Sequence, residues 1–187
     1  MRTEKIFFDV EDMPDENPPP VLARVFWPYE VLKRFRLIFK EVQQHSQWVE
    51  TKCGVSSAQL WAMWELSQSP GLRVTELAKA MSIHQSTASN LLEKLAKKGL
   101  VRRERLSQDL RVVSVFLTEQ GVETLAQAPS PARGILQHTL FSLPEDTLHS
   151  LADNLDVLVE AMGITDKEAA MQPMKPLANK GRKTKKP

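Results

Sequence analysis

A single cysteine, Cys53, is all the thiol this 187-residue chain holds. It has no partner for an internal disulfide and cannot build a site from several thiolates, which excludes a cross-linked secreted scaffold and fits a reducing compartment. No stretch approaches the roughly 18 apolar residues of a membrane span. Acidic residues enter by Glu4 and Asp9, too early for the apolar core of a signal peptide, so neither export nor membrane insertion is expected. The seven glycines form no phosphate-cradling loop, and neither Gly-x-Ser-x-Gly nor His-Glu-x-x-His occurs. His45, His84, His138 and His149 lack any spacing with carboxylates or the cysteine that would hold a metal. These absences argue against an enzyme, a cofactor and a metal centre. What remains is the composition of a soluble globular protein, 42% hydrophobic and 26% charged, at a length suited to one core with additions.

The net charge of +2 conceals an uneven distribution. Residues 1–20 carry two cations against six carboxylates and end in Asn17-Pro18-Pro19-Pro20, an acidic arm that favours extended chain. Residues 164–187 carry seven cations against two carboxylates and read as an unstructured basic tail. Between them, residues 71–111 hold nine cations against four carboxylates. A solvated lysine and arginine face gives such a count, and so does a surface that binds phosphate.

Apolar periodicity divides the rest. From Pro28, Val31, Leu32, Phe35, Ile38, Phe39, Val42 and Val49 recur at three- and four-residue steps, predicting one long amphipathic helix to about Thr51. Ser56 can cap a second helix through Ser67 whose bulky groups, Leu60, Trp61, Met63, Trp64 and Leu66, mark it as central. Thr75 can cap a short third helix through Met81. Ser82 and Gln85 have the spacing of a capping box, which starts a fourth near Ile83 or His84 and lets it run to Lys98, with Gly99 as its stop. Two such helices joined by a tight turn make a helix-turn-helix candidate. Strands are expected over Leu100–Leu106 and Arg111–Leu117, joined by Ser107-Gln108-Asp109-Leu110. Thr118 can cap a further helix ending before Pro129, and Pro144 opens a last one to about Met162.

On the fourth helix Ile83, Ala88, Leu91, Leu92 and Leu95 share the buried side, so Gln85, Ser86, Ser89 and Asn90 face outward with Glu93 and Lys94 one turn on. Short hydrogen-bonding side chains flanked by cations suit base edges in a major groove. An arginine at a hairpin tip suits the negative potential of a minor groove. A polar solvent face on a small helical domain is the plainer reading of the same residues.

The run Val74-Thr75-Glu76-Leu77-Ala78, the string Ile83 to Leu95, Lys98-Gly99-Leu100-Val101-Arg102-Arg103, Asp109-Leu110-Arg111 and Leu117-Thr118-Glu119-Gln120-Gly121 together resemble the MarR family of bacterial winged-helix regulators. The resemblance is dense over residues 56–125 and weak outside them. It implies a mainly α fold with a small β-hairpin wing: an N-terminal dimerisation helix in 21–55, a winged helix-turn-helix in 56–125 and C-terminal dimerisation helices in 126–163. It further implies a homodimeric regulator of the bacterial cytoplasm and nucleoid, a repressor in the first instance, on palindromic double-stranded DNA. The candidate DNA-contacting residues are Thr75, Gln85, Ser86, Thr87, Ser89, Asn90, Lys94 and Arg103, with Arg111 in the minor groove oriented by Asp109. Asn90 departs from the family, where many members carry arginine, which reduces phosphate attraction there.

Amphipathic helices at both ends leave apolar surface that dimerisation would bury. His45, Trp48, Trp61 and Trp64 on the first two helices are candidates for a pocket taking a small aromatic or phenolic effector, although an aromatic stripe also serves as plain core. Cys53 beside Lys52 is a candidate redox switch. Alternatives to an effector-controlled regulator are a winged-helix module for protein contact and a cysteine-based redox regulator. A further one is a ligand-insensitive DNA binder relying on the basic tail.

Overall fold

The computed structural model describes residues 20–105 and 113–174. The chain divides into two compact units, with the boundary between Glu41 and Val42. Helix α1 spans Pro20–Cys53, beginning eight residues before the sequence places it and including Pro28. Proline lacks only a donor that the first turn leaves unused in any case, so Pro20 can open a helix; Pro28 stands exposed within it. Within the first unit, Glu30 accepts hydrogen bonds from Lys33 Nζ at 2.7 Å and Arg34 at 2.8 Å. These partners, Lys33 first, hold its carboxyl below the usual range. Phe35 and Phe39 stack at 5.9 Å, and Val31, Leu32, Ile38 and Phe39 are exposed.

In the second unit, α2 (Ser57–Gln68) begins where the capping signal places it. The Gln59 amide N–H donates to Ser56 Oγ, and Gln59 Oε1 accepts from the Ser56 amide. Leu60, Met63 and Leu66 of this helix are fully buried beside Leu77, Leu92, Leu95, Val49, Val55 and Val115. Each such side chain contributes about 1.5–3 kcal/mol on full burial. Helix α3 (Val74–Ala80) and helix α4 (Gln85–Lys97) follow, packed on α2 and on each other. Strand β1 (Val101–Glu104) and strand β2 (Ser114–Leu117) pair antiparallel, Val101 opposite Leu117 and Arg103 opposite Val115. The Gly71–Leu72 segment extends that sheet: the Gly71 N–H donates to the Val115 carbonyl at 3.0 Å, and the Val115 N–H to the Leu72 carbonyl at 3.1 Å. Helix α5 (Glu119–Ala126) is capped by Thr118, whose hydroxyl accepts from the Gly121 N–H. Helix α6 (Ile135–Ser142) and helix α7 (Glu145–Ala161) bring the chain to a 3-10 turn at Lys167–Met171.

Two capping assignments need correction. The residue that caps α3 is Arg73, whose amide donates to Glu76 Oε2 at 2.7 Å; a charge-assisted bond from the third helical position wins over the Thr75 hydroxyl, and Thr75 sits inside the first turn. Ser82 is not in a capping box. It occupies the turn at φ +51, which a small polar residue tolerates, and His84 becomes the residue preceding α4. Helix α6 was not legible between two prolines because it is only eight residues long and follows Gly134, at φ +100. Residues 164–174 also depart from the unstructured tail expected of them, since they contain the 3-10 turn.

Candidate nucleic-acid interface

The turn between α3 and α4 is held by the Ile83 amide, which donates to the Ala78 carbonyl at 2.9 Å. With that turn closed, α4 rolls its apolar side inward: Ala88, Leu92 and Leu95 are fully buried, Ile83 and Leu91 nearly so. Gln85, Ser86, Ser89, Asn90, Glu93 and Lys94 are then all exposed on the other side, as the helical period requires. Thr87 differs. It is half-buried, and its hydroxyl lies 3.1 Å from Gln172 Oε1. Thr75 is exposed on α3, and Arg103 is exposed on β1. Asp109 and Arg111 lie outside the described residues.

Cations are carried by α3, α4, β1 and the residues that follow them. Lys97 Nζ lies 2.7 Å from Glu93, and that hydrogen bond, with its Coulombic attraction, holds the Glu93 carboxyl below the usual range. Arg102 pairs with Glu104 and sits 5.0 Å over the Phe116 ring. The Lys98 ammonium donates to the Gly54 carbonyl. Lys79, Lys94, Arg103 and Arg105 are exposed. The arrangement offers neutral donors and acceptors on one helix face, with Lys94 exposed on the same helix, and no described residue on that face supplies a nucleophile with an adjacent base.

The four pocket candidates separate. His45 and Trp61 line a cavity of about 40 Å³ together with Met81, Ile83, Arg133 and Met174. Trp64 lines a second cavity of about 210 Å³ with Ser130, Arg133 and His138. Trp48 lines neither; it is half-exposed, with its ring edge-on to His45 at 6.5 Å. Cys53 is partly buried, and that burial pushes its thiol pKa up, opposite to what a reactive thiolate needs. Among the described residues no group of three or more His, Cys, Asp or Glu could hold a metal ion.

Sequence reasoning missed Arg133. Its guanidinium lies 4.2 Å over the Trp64 ring and 4.2 Å over the Phe141 ring, and it approaches Glu65 at 3.7 Å. Glu65 also accepts from Trp61 Nε1 at 2.7 Å. The Trp61–Glu65 pair has the four-residue helical spacing and was legible in principle. Arg133 carries no such local signal. Gln172 was missed for the same reason.

Comparison with known proteins agrees with this geometry. The model of the MarR family matches residues 55–113. The transcriptional regulator HosA of Escherichia coli is 30% identical over 97 residues, covering 51% of this chain and 72% of HosA. The transcriptional repressor MdtR of Bacillus subtilis (strain 168), of helix-turn-helix type, is 25% identical over 131 residues, covering 70% of this chain and 84% of MdtR. The crystal structure of a MepR-like protein complexed with pseudoligands superposes with a TM-score of 0.51 at 24% identity, covering 71% of this chain and 94% of that one. It has the same winged-helix fold.

Proposed function

Because this chain belongs to the MarR family, we propose that it represses transcription as a homodimer on a palindromic operator and releases DNA when a small aromatic effector binds. The chain is a DNA-binding transcriptional regulator of the MarR type, not an enzyme. One observation carries the reading of its interface: α4 buries one side completely while Gln85, Ser86, Ser89 and Asn90 stand exposed on the other. A helix so presented can enter a major groove with its hydrogen-bonding groups toward the base edges.

Dimerisation is supported by α7, none of whose side chains is buried although Leu151, Leu155, Leu158 and Val159 form an apolar stripe. A second copy would cover it, and a two-fold axis there would pair two recognition helices with the two half-sites of a palindrome. The name of MdtR supports repression. The effector reading is supported by the larger cavity. An engineered apolar cavity of about 150 Å³ admits benzene, and the site beside Trp64 offers about 210 Å³ with the Arg133 guanidinium at its wall. A ring carrying a phenolate or carboxylate fits that chemistry. Release then follows from population shift, the effector binding better to a dimer whose recognition helices are out of register with successive grooves.

Selection of binding sites from random duplex DNA, followed by protection mapping, tests the proposal. The expected result is a two-fold symmetric protected site whose occupancy falls when benzoate or salicylate is added. An asymmetric site, or a monomer in sedimentation, refutes the operator reading. Unchanged occupancy with aromatic acids refutes the effector reading.

A further inference from the structure

The end of the described chain returns to the recognition helix. After α7 the chain turns at Gly163 (φ +64), and Asp166 caps the 3-10 turn, its carboxylate accepting from the Glu168 amide at 3.1 Å. Pro173 disfavours helical backbone in its predecessor, and Gln172 ends that turn extended, at φ −110 and ψ 145. Residues 166–174 then meet the first turn of α4 as a strap. The Met171 carbonyl accepts the His84 amide N–H at 3.1 Å, and Gln172 Oε1 accepts from the Thr87 hydroxyl at 3.1 Å. Glu168 Oε2 stands 3.5 Å from His84 Nε2. Pro173 and Met174 root the strap on the smaller cavity, which Met81 and Ile83 also line.

These contacts matter for what they occupy. When α4 lies in a major groove its first turn adjoins the phosphates of the groove wall, where an amide N–H and a hydroxyl are donors for phosphate oxygens. In this chain the strap supplies oxygens to those donors, and Glu168 adds a carboxylate where phosphate would approach. Size points the same way. A helix with its side chains is about 10–12 Å across and a major groove about 12 Å wide. An extended segment beside the helix adds roughly 5 Å, more than the groove admits. The strap leaves Gln85, Ser86, Ser89 and Asn90 exposed, so it does not hide the base-reading face; it widens the helix that carries it. We propose that residues 166–174 form an autoinhibitory contact: the strap holds the His84 and Thr87 donors in the free chain and must leave α4 before the helix seats fully in DNA. The inference rests on the reading of α4 as the DNA-reading helix. One net hydrogen bond shifts a closed–open ratio about two- to ten-fold, and affinity falls in proportion to the open fraction. A hold of that size lowers affinity and still yields to DNA.

The test compares three proteins on a selected operator and on a duplex of other sequence: the full chain, Gln172→Ala, and a chain in which residues 170–174 are replaced by a Gly-Ser stretch of the same length. Neither change removes or adds a charge, so a gain in affinity cannot be Coulombic. Gln172 is exposed, and its replacement leaves the core intact. Binding is expected to tighten about three-fold in Gln172→Ala and about ten-fold in the strap replacement. Both duplexes gain alike, and the slope of log affinity against log salt stays the same, because the bound state is the same. Amide exchange at His84 quickens in the strap replacement. Thr87→Val is expected to be close to neutral in the full chain, where the hydroxyl serves strap and phosphate in turn, and to weaken binding in the strap replacement. Unchanged affinity in the strap replacement overturns the inhibition. Weaker binding there overturns it as well and makes the strap a brace for α4. If none of the three proteins binds either duplex, the DNA reading itself fails, and the inference with it.

Discussion

Gly121 in the first turn of α5 stands directly against the backbone of Leu100, so close that a Cβ built on it would lie 2.1 Å from the Leu100 carbonyl oxygen. The same carbonyl accepts the Thr118 amide at 3.1 Å, and the Thr118 hydroxyl donates to the Gly99 carbonyl at 2.6 Å. The Leu-Thr-x-x-Gly string is therefore a clasp between the start of the wing and the helix after it. Gly121→Ala is expected to force the strand away from α5 and lose about 1–3 kcal/mol. Denaturant unfolding measures the loss, and a melting point within a degree of the parent would show that the backbone yields freely.

Ser89→Ala and Asn90→Ala each remove a group that α4 exposes without touching the core. Each is expected to weaken operator binding by roughly 1–3 kcal/mol where the contact is a good one, with non-specific binding nearly retained and stability unchanged. Titration of operator and random duplex with each variant checks this. Equal losses on the two would mean that these side chains do not read sequence.

Arg111 and Asp109 are expected to act together at the wing tip. Arg111→Lys should weaken operator binding, because a planar, weakly hydrated guanidinium enters a narrow minor groove at less cost than an ammonium. Asp109→Ala is expected to weaken it as well, since it removes the carboxylate two residues away that would orient the guanidinium. Simple Coulomb repulsion forecasts the opposite sign for Asp109→Ala, so tighter binding by that variant at two salt concentrations would reduce the tip to diffuse charge.

Cys53 is expected to be slow chemically. Burial raises its thiol pKa, so the thiolate fraction near pH 8 is smaller than for a free cysteine, and alkylation rises only toward higher pH. Iodoacetamide rates across pH 7–10, measured beside free cysteine, check this. DNA binding that persists in peroxide for both the parent and Cys53→Ser is the matching expectation, and release confined to the parent would restore the redox reading.

Most of the helix-turn-helix was legible because its signals are local. The spacing of Leu91, Leu92 and Leu95 sets the buried side of α4, the Ser56–Gln59 pair starts α2, Gly99 at φ +71 stops α4, and Thr118 opens α5. Each depends on residues within a turn of one another, whose energetics hold wherever the segment is placed. The tertiary structure decided what joins distant positions. Thr87 had the same polar character as Ser86 and Ser89, yet it is the one that meets Gln172, 85 residues later. Arg133 had no helical partner to reveal it, and it came to rest between Trp64 and Phe141. Such contacts depend on which surfaces the chain brings together when it closes its loops, and no period or cap in the sequence encodes that geometry.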